Sequence, residues 1–136
     1  MRDISLSIVI KKDHLEELEK HAKESLPHES CAFLLGKGTG QIVISDVLVI
    51  ENIQSDPVSF TVPADEILKA YKIAEEKKLQ VAGIFHSHPS KPEPSSIDAR
   101  FMEINPVVWV IYSTTENKFA AWILADEIRQ VNMMSY

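Results

Sequence analysis

Polar residues crowd abruptly after an apolar run near the middle of the chain. His86, Ser87 and His88 follow Val81 to Phe85, and Ser95, Ser96 and Asp98 come soon after. On a strand, residues i and i+2 point the same way, so His-x-His sets two imidazoles on one face, about 6.6 Å apart along the backbone. On a helix the same spacing splays them. Two convergent imidazoles are a natural chelate for zinc, and Asp98, across a short stiff turn, can supply a third ligand. Two histidines and one carboxylate leave a fourth position for water, which is the arrangement of a catalytic rather than a structural site. Such a site also needs a proton shuttle. Most acids lie on solvated helix faces, among them Glu16, Glu17, Glu19, Glu75 and Glu76; Glu29 instead stands just before the apolar run Cys31 to Leu35, at the mouth of a core strand. Each feature also has a plainer reading. The His-x-His is compatible with surface decoration, Ser95 with Asp98 forms a capping box for a helix, and Glu29 with an exposed loop acid.

The elements that must position these residues are readable from hydrophobic period. Ile4, Leu6, Ile8 and Ile10 alternate as a half-buried strand. Asp13 is placed to cap a helix with Leu15, Leu18, Ala22 and Leu26 on its apolar face, ended by Pro27. Cys31 to Leu35 and Ile42 to Ile50 read as a hairpin turned at Gly36, Gly38 and Gly40. Asn52 to Pro57 is a polar connection, and Phe60 and Val62 mark a short edge-like strand. A second helix starts after Pro63, with Ile67, Leu68, Tyr71 and Ala74 on its inner face. Val81 to Phe85 is a buried strand, and Pro89, Pro92 and Pro94 exclude regular structure after it. Ser95 or Ser96 caps a short helix through Met102. Val107 to Tyr112 and Phe119 to Leu124 are paired strands, and Asp126 to Tyr136 is either a closing strand or a docked turn of helix. Trp109, Trp122, Phe101 and Met102 read as core, and His14, His21 and His28 as surface groups. The order predicts a mixed α/β domain over residues 1–136, with helices packed on one curved sheet.

The two polar clusters together resemble the JAMM metalloproteases, the zinc-dependent branch of the MPN (Mov34/PAD-1) family. Gly83 to Asp98, GIFHSHPSKPEPSSID, resembles that family's His-x-His-Pro then Ser-x-x-Asp motif, and Pro27 to Gly38, PHESCAFLLGKG, its amino-terminal motif. The resemblance implies an MPN fold, a curved mixed sheet flanked by helices in a cytidine-deaminase-like layout. It implies one zinc ion per chain on His86, His88 and Asp98, Glu29 as general base and acid, and Ser95 as a hydroxyl that steadies the tetrahedral intermediate. Ser87 matches the Ser or Thr between the histidines, a supporting position. The segment between Pro89 and Ser95 is one residue shorter than is usual in the family, so the loop is expected to tighten with the ligands retained. A compact copy without long insertions resembles archaeal and bacterial members. Some of these release small ubiquitin-like modifiers from proteins; others trim or release the carboxyl terminus of a β-grasp sulfur-carrier protein. The tail of such a partner would add as a strand to an exposed edge, with Val58 to Val62 as the candidate.

Composition narrows the alternatives. Of 136 residues, 14 are Lys or Arg and 20 are Asp or Glu, a formal charge of -6, so no basic footprint for nucleic acid is expected. A lone cysteine, Cys31, excludes an internal disulfide and a four-cysteine zinc site. It also excludes a zinc deaminase, which needs Pro-Cys-x-x-Cys and His-x-Glu. Ser87 argues against the DNA-repair relatives of the family, whose motif reads His-Asn-His-Pro. Nothing in the sequence has the length of a membrane span or the form of a secretory leader, so a cytoplasmic protein is expected. A non-enzymatic scaffold with an MPN-like fold is the remaining rival. Met133, Met134 and Tyr136 are candidates for a homodimer contact.

Overall fold

The structure is a computed structural model that describes residues 6–51, 54–56 and 59–136. Ile4, Val58 and part of the Asn52 to Pro57 connection lie outside the described residues. Helix α1 (Lys12–Ser25) follows strand β1 (Ser7–Ile10), and the hairpin β2 (Cys31–Lys37) and β3 (Gln41–Ile50) comes next. A short ribbon, β4 (Gln54–Asp56) and β5 (Ser59–Thr61), precedes α2 (Ala64–Glu76). Then come β6 (Gln80–His88), α3 (Ser96–Ile104), β7 (Val108–Ser113), β8 (Lys118–Leu124) and β9 (Ile128–Ser135).

The mixed pairing and the flanking helices are present, but the curvature goes further than an open sheet. Seven of the described strands run in the order β1-β3-β2-β6-β7-β8-β9, and β9 returns to pair with β1, closing the sheet. Pairing is parallel for β1 with β3, β1 with β9 and β6 with β7, and antiparallel elsewhere. The undecided carboxyl-terminal segment is thus the closing strand β9. It uses its backbone within one copy, with Met134 and Tyr136 exposed. The segment expected as an edge strand belongs instead to the separate β4–β5 ribbon.

Alternation along the strands produces two buried clusters. Ala32, Leu34, Phe85, Val110 and Tyr112 face one way and pack with Leu18 and Ala22 of α1. Cys31, Phe33, Leu35, Ile84 and Trp109 face the other way and pack with Ala70 and Ala74 of α2 and Met102 of α3. No helix among the described residues is long and apolar enough to cross a membrane.

Four local expectations change. Leu26, expected on the apolar face of α1, is its C-cap and is 49% exposed. The N-cap of α1 is Lys11, which makes no side-chain cap bond; Asp13 lies in the first turn, where its charge suits the helix dipole. The buried seam of α2 is Ala70 and Ala74, whose small side chains fit against the sheet. Ile67, Leu68 and Tyr71 are 37%, 70% and 53% exposed. Phe101, expected in the core, is likewise partly exposed, and α3 runs on to Ile104.

Gly36 sits where the β2–β3 register shifts after Leu35, and a Cβ there would collide with the Val43 carbonyl of the paired strand. Gly36→Ala is therefore expected to lower stability by about 2–3 kcal/mol, the upper part of the range for overpacking. Urea unfolding monitored by tryptophan fluorescence measures it.

Candidate active site

Three elements meet at one end of β6. The strand itself carries His86 and His88 on the face shared with Cys31 and Trp109, as its period requires. Strand β2 runs antiparallel to β6, so the start of β2 lies beside the end of β6 and brings Glu29 with it. Helix α3 begins after the Pro89 to Pro94 loop and presents Asp98 from its first turn. The loop has no regular structure and is tied down by the Trp122 indole, which donates to the Pro92 carbonyl at 2.8 Å.

Four titratable side chains converge there, all nearly buried. His86 is 0% exposed, His88 6%, Glu29 5% and Asp98 4%. The two imidazole centroids are 4.6 Å apart at 78°. Asp98 Oδ1 lies 3.4 Å from His86 Nε2, and its Oδ2 lies 3.0 Å from His88 Nε2. Glu29 stands a little further off, 3.8 Å from His86 Nδ1 and 4.0 Å from His88 Nε2. Ligand atoms placed at about 2.0–2.2 Å from one tetrahedral zinc would be separated by about 3.3–3.6 Å. Asp98 matches that spacing more closely than Glu29 does. Glu29, His86 and His88 nevertheless also form a group whose donor atoms all lie within 4.8 Å of one another.

The donor set suits a cation. Two buried carboxylates facing two imidazoles make a pocket of concentrated negative charge, which is costly out of water unless a positive charge is shared among them. Nitrogen and oxygen donors at these distances fit zinc or a similar divalent metal.

Asp98 makes two sets of contacts at once. Its Oδ2 accepts the Ser95 backbone N–H at 2.8 Å, and Ser95 Oγ accepts the Asp98 N–H at 3.1 Å, a complete capping box. The helix-cap reading and the ligand reading are therefore compatible. The cap also orients the carboxylate toward the histidines. Burial alone would raise the Asp98 carboxyl. The His88 hydrogen bond, the charge of His86 and the Ser95 N–H outweigh it and bring the pKa down to about 2. Burial would lower the His88 imidazole, but the hydrogen bond and charge of Asp98, with the charge of Glu29, outweigh it and raise the pKa. Cys31, though beside His86 in register, is pushed up to about 12 by burial, so its thiol stays protonated and inert.

Of the other polar residues, Ser95 is the N-cap of α3, its oxygen accepting and its proton still available to donate. His14 and His21 are half-buried on α1 and His28 is exposed; none belongs to the cluster of four. Two contacts are not legible from the motifs. The Trp109 ring meets His86 edge-on, with centroids 5.7 Å apart. Ser30, which is 0% exposed, bonds to Ser87. A groove of about 210 Å³ opens between α2 and α3, lined by Ile67, Tyr71, Phe101 and Ile104, with Cys31 and Trp109 also contributing.

A model of the prokaryotic homologs of the JAB domain matches residues 11–125. The chain belongs to this JAB (MPN) family. Among relatives of this JAB-family chain, a Pyrococcus furiosus protein named desampylase is 36% identical over 126 residues, which are 92% of this chain and 87% of that one. A solution structure of a Desulfitobacterium hafniense protein matches with a TM-score of 0.84 at 27% identity, covering 95% of this chain and 92% of the other. One from Salinibacter ruber matches with a TM-score of 0.71 at 28% identity, covering 93% and 90%.

Proposed function

We propose that this protein is a zinc-dependent isopeptidase or peptidase that cleaves after the carboxyl-terminal glycine of a small ubiquitin-like modifier. The observation that carries the reading is the convergence of two buried carboxylates on two buried imidazoles at the end of β6. The relationship to a protein named desampylase supports the choice of substrate class, a ubiquitin-like modifier joined to a protein. The same reading includes a single domain over residues 1–136 with the deaminase-like layout.

His86, His88 and Asp98 would hold the metal, one ion per chain. When bound, zinc supplies Lewis acidity, lowering the pKa of water and polarising the scissile carbonyl. Glu29 takes the proton from the attacking water and later delivers it to the leaving amine. The Ser95 hydroxyl donates toward the carbonyl oxygen as negative charge develops there. Trp109 and the capping box limit the movement of His86 and Asp98, so the geometry is set before substrate arrives. No covalent acyl-enzyme is required, in keeping with the protonated thiol of Cys31. The β4–β5 ribbon, a two-stranded sheet of its own, is the edge to which an extended tail would add.

The test is direct. Purified protein is incubated with ubiquitin-like and sulfur-carrier proteins encoded by the same genome, each bearing a carboxyl-terminal extension or a lysine conjugate. The cut is located by intact mass, and zinc is measured on the same sample. Cleavage after the terminal glycine of a lysine conjugate supports the isopeptidase. Cleavage confined to a sulfur carrier's extension favours the processing protease. Zinc-loaded protein that cuts none of them would leave the non-enzymatic scaffold.

A further inference from the structure

The regular ladder between β2 and β6 ends at the pair Cys31 and His86. In an antiparallel pair each step back on one strand is a step forward on the other, so Ser30 stands opposite Ser87, and Glu29 opposite His88. The bonding confirms that the register continues but not in the usual form. The Ser87 N–H donates to the Ser30 carbonyl at 3.2 Å, as a ladder bond should. The return bond goes elsewhere: the Ser30 N–H donates to the Ser87 hydroxyl at 2.9 Å, and the Ser30 hydroxyl donates to that same oxygen at 3.0 Å. Ser30 is 0% and Ser87 2% exposed. By alternation both hydroxyls sit on the sheet face opposite the imidazoles, away from the reacting atoms.

We propose that Ser30 and Ser87 are positioning residues that hold the Glu29 carboxylate at its distance from His86 and His88. This rests on the reading of Glu29 as the proton shuttle. Ser30 is covalently next to Glu29, and Ser87 lies between the two histidines, so their bonds fasten the carrier of the base to the carrier of the imidazoles. Glu29 itself precedes β2 and lies beyond the regular ladder. Removing the Ser87 hydroxyl leaves a buried N–H and a buried hydroxyl unmet, and groups in that state drive rearrangement. The rearrangement open to them is a shift of the strand end, and Glu29 shifts with it. Proton transfer tolerates little of that, because the base must come within about 2.6–3.2 Å of its proton.

The experiment compares wild type, Ser87→Ala, Glu29→Gln and the double variant for zinc content, amide exchange and single-turnover cleavage. Ser87→Ala is expected to keep its zinc, and its Ser30 amide to exchange at least about tenfold faster, since the acceptor of that N–H is gone. Its cleavage rate constant should fall about 10- to 100-fold with KM within about threefold, and Ser87→Thr should restore most of the loss. In the Glu29→Gln background the same substitution should change the rate by less than about twofold, because a device acting through Glu29 has nothing left to position. Equal losses in both backgrounds, or an unchanged Ser30 amide, would overturn the proposal. Should Ser87→Ala fail to fold, Ser30→Ala removes only the hydroxyl–hydroxyl bond, and a loss of about threefold that vanishes with Glu29→Gln carries the same test. If Glu29→Gln cleaves at the wild-type rate, the functional reading of Glu29 fails, and this proposal with it. If Glu29→Gln is slow and Ser87→Ala is not, only the positioning role fails.

Discussion

Glu29→Gln should retain zinc and bind the modifier conjugate normally, yet cleave it about 10²- to 10⁴-fold more slowly, the usual value of positioned acid–base catalysis. The amide is nearly the size of the carboxylate it replaces. The site it enters is only 5% exposed, so shape is preserved where packing is tight. What is lost is the ability to accept and return a proton. At 3.8 and 4.0 Å from the imidazole nitrogens, Glu29 stands further off than Asp98, which suits a group that reaches the water between them. Glu29→Asp should also be impaired, because a carboxylate withdrawn by one methylene misses a proton that must be met within about 3 Å. Glu24→Gln, on the exposed face of α1, should be nearly neutral. Zinc content and single-turnover rates on the same preparations decide the matter. Wild-type turnover would remove Glu29 from the mechanism, and loss of zinc would make it a ligand, as its grouping with His86 and His88 within 4.8 Å allows.

The site was more legible in the sequence than the architecture around it, for physical reasons. Convergence of His86 and His88 needs only the two-residue period of a strand, which any apolar run ending in His-x-His displays. The approach of Asp98 needs only a capped helix start after a proline-stiffened turn, and the cap forms even with the shorter loop. Closure of the sheet depends on β1 meeting β9, a pairing between the two ends of the chain that no local pattern encodes. The face of α2 misleads for a related reason. Large side chains at Ile67, Leu68 and Tyr71 look like the core, but the close contact is made by Ala70 and Ala74, and the large residues rim a groove instead. Ser30 carries no signal of its own in the sequence. It becomes meaningful only once the β2–β6 register sets it against Ser87.

Asp98→Ala should lose most bound zinc while most of the fold survives, and Asp98→Asn should separate the two functions of this side chain. The Ala variant removes the carboxylate whose two oxygens lie 3.4 and 3.0 Å from His86 and His88, and leaves at the imidazoles the more distant carboxylate of Glu29, at 3.8 and 4.0 Å. It also removes the acceptor for the Ser95 N–H, a cap interaction of a kind that costs about 1 kcal/mol when lost. That is small beside two apolar clusters that run through β2, β6 and β7 and take in all three helices. A domain with such a core does not depend on a metal to fold, unlike small fingers that have almost none. The Asn variant keeps an amide oxygen for the Ser95 N–H but loses the charge. It should therefore hold α3 as in the native protein and still bind zinc more weakly. Metal-free protein adds a pH signature. The folded Asp98 pKa, about 2, lies below the unfolded value of about 4, so its contribution is full above about pH 4 and disappears as pH falls toward 2. Both variants should lose that part of the acid dependence. Elemental analysis, far-ultraviolet circular dichroism and metal-free melts from pH 2 to 7 test all of this on one set of samples. Full zinc occupancy in Asp98→Ala would contradict the ligand assignment, and wholesale unfolding would contradict a core that stands without the metal.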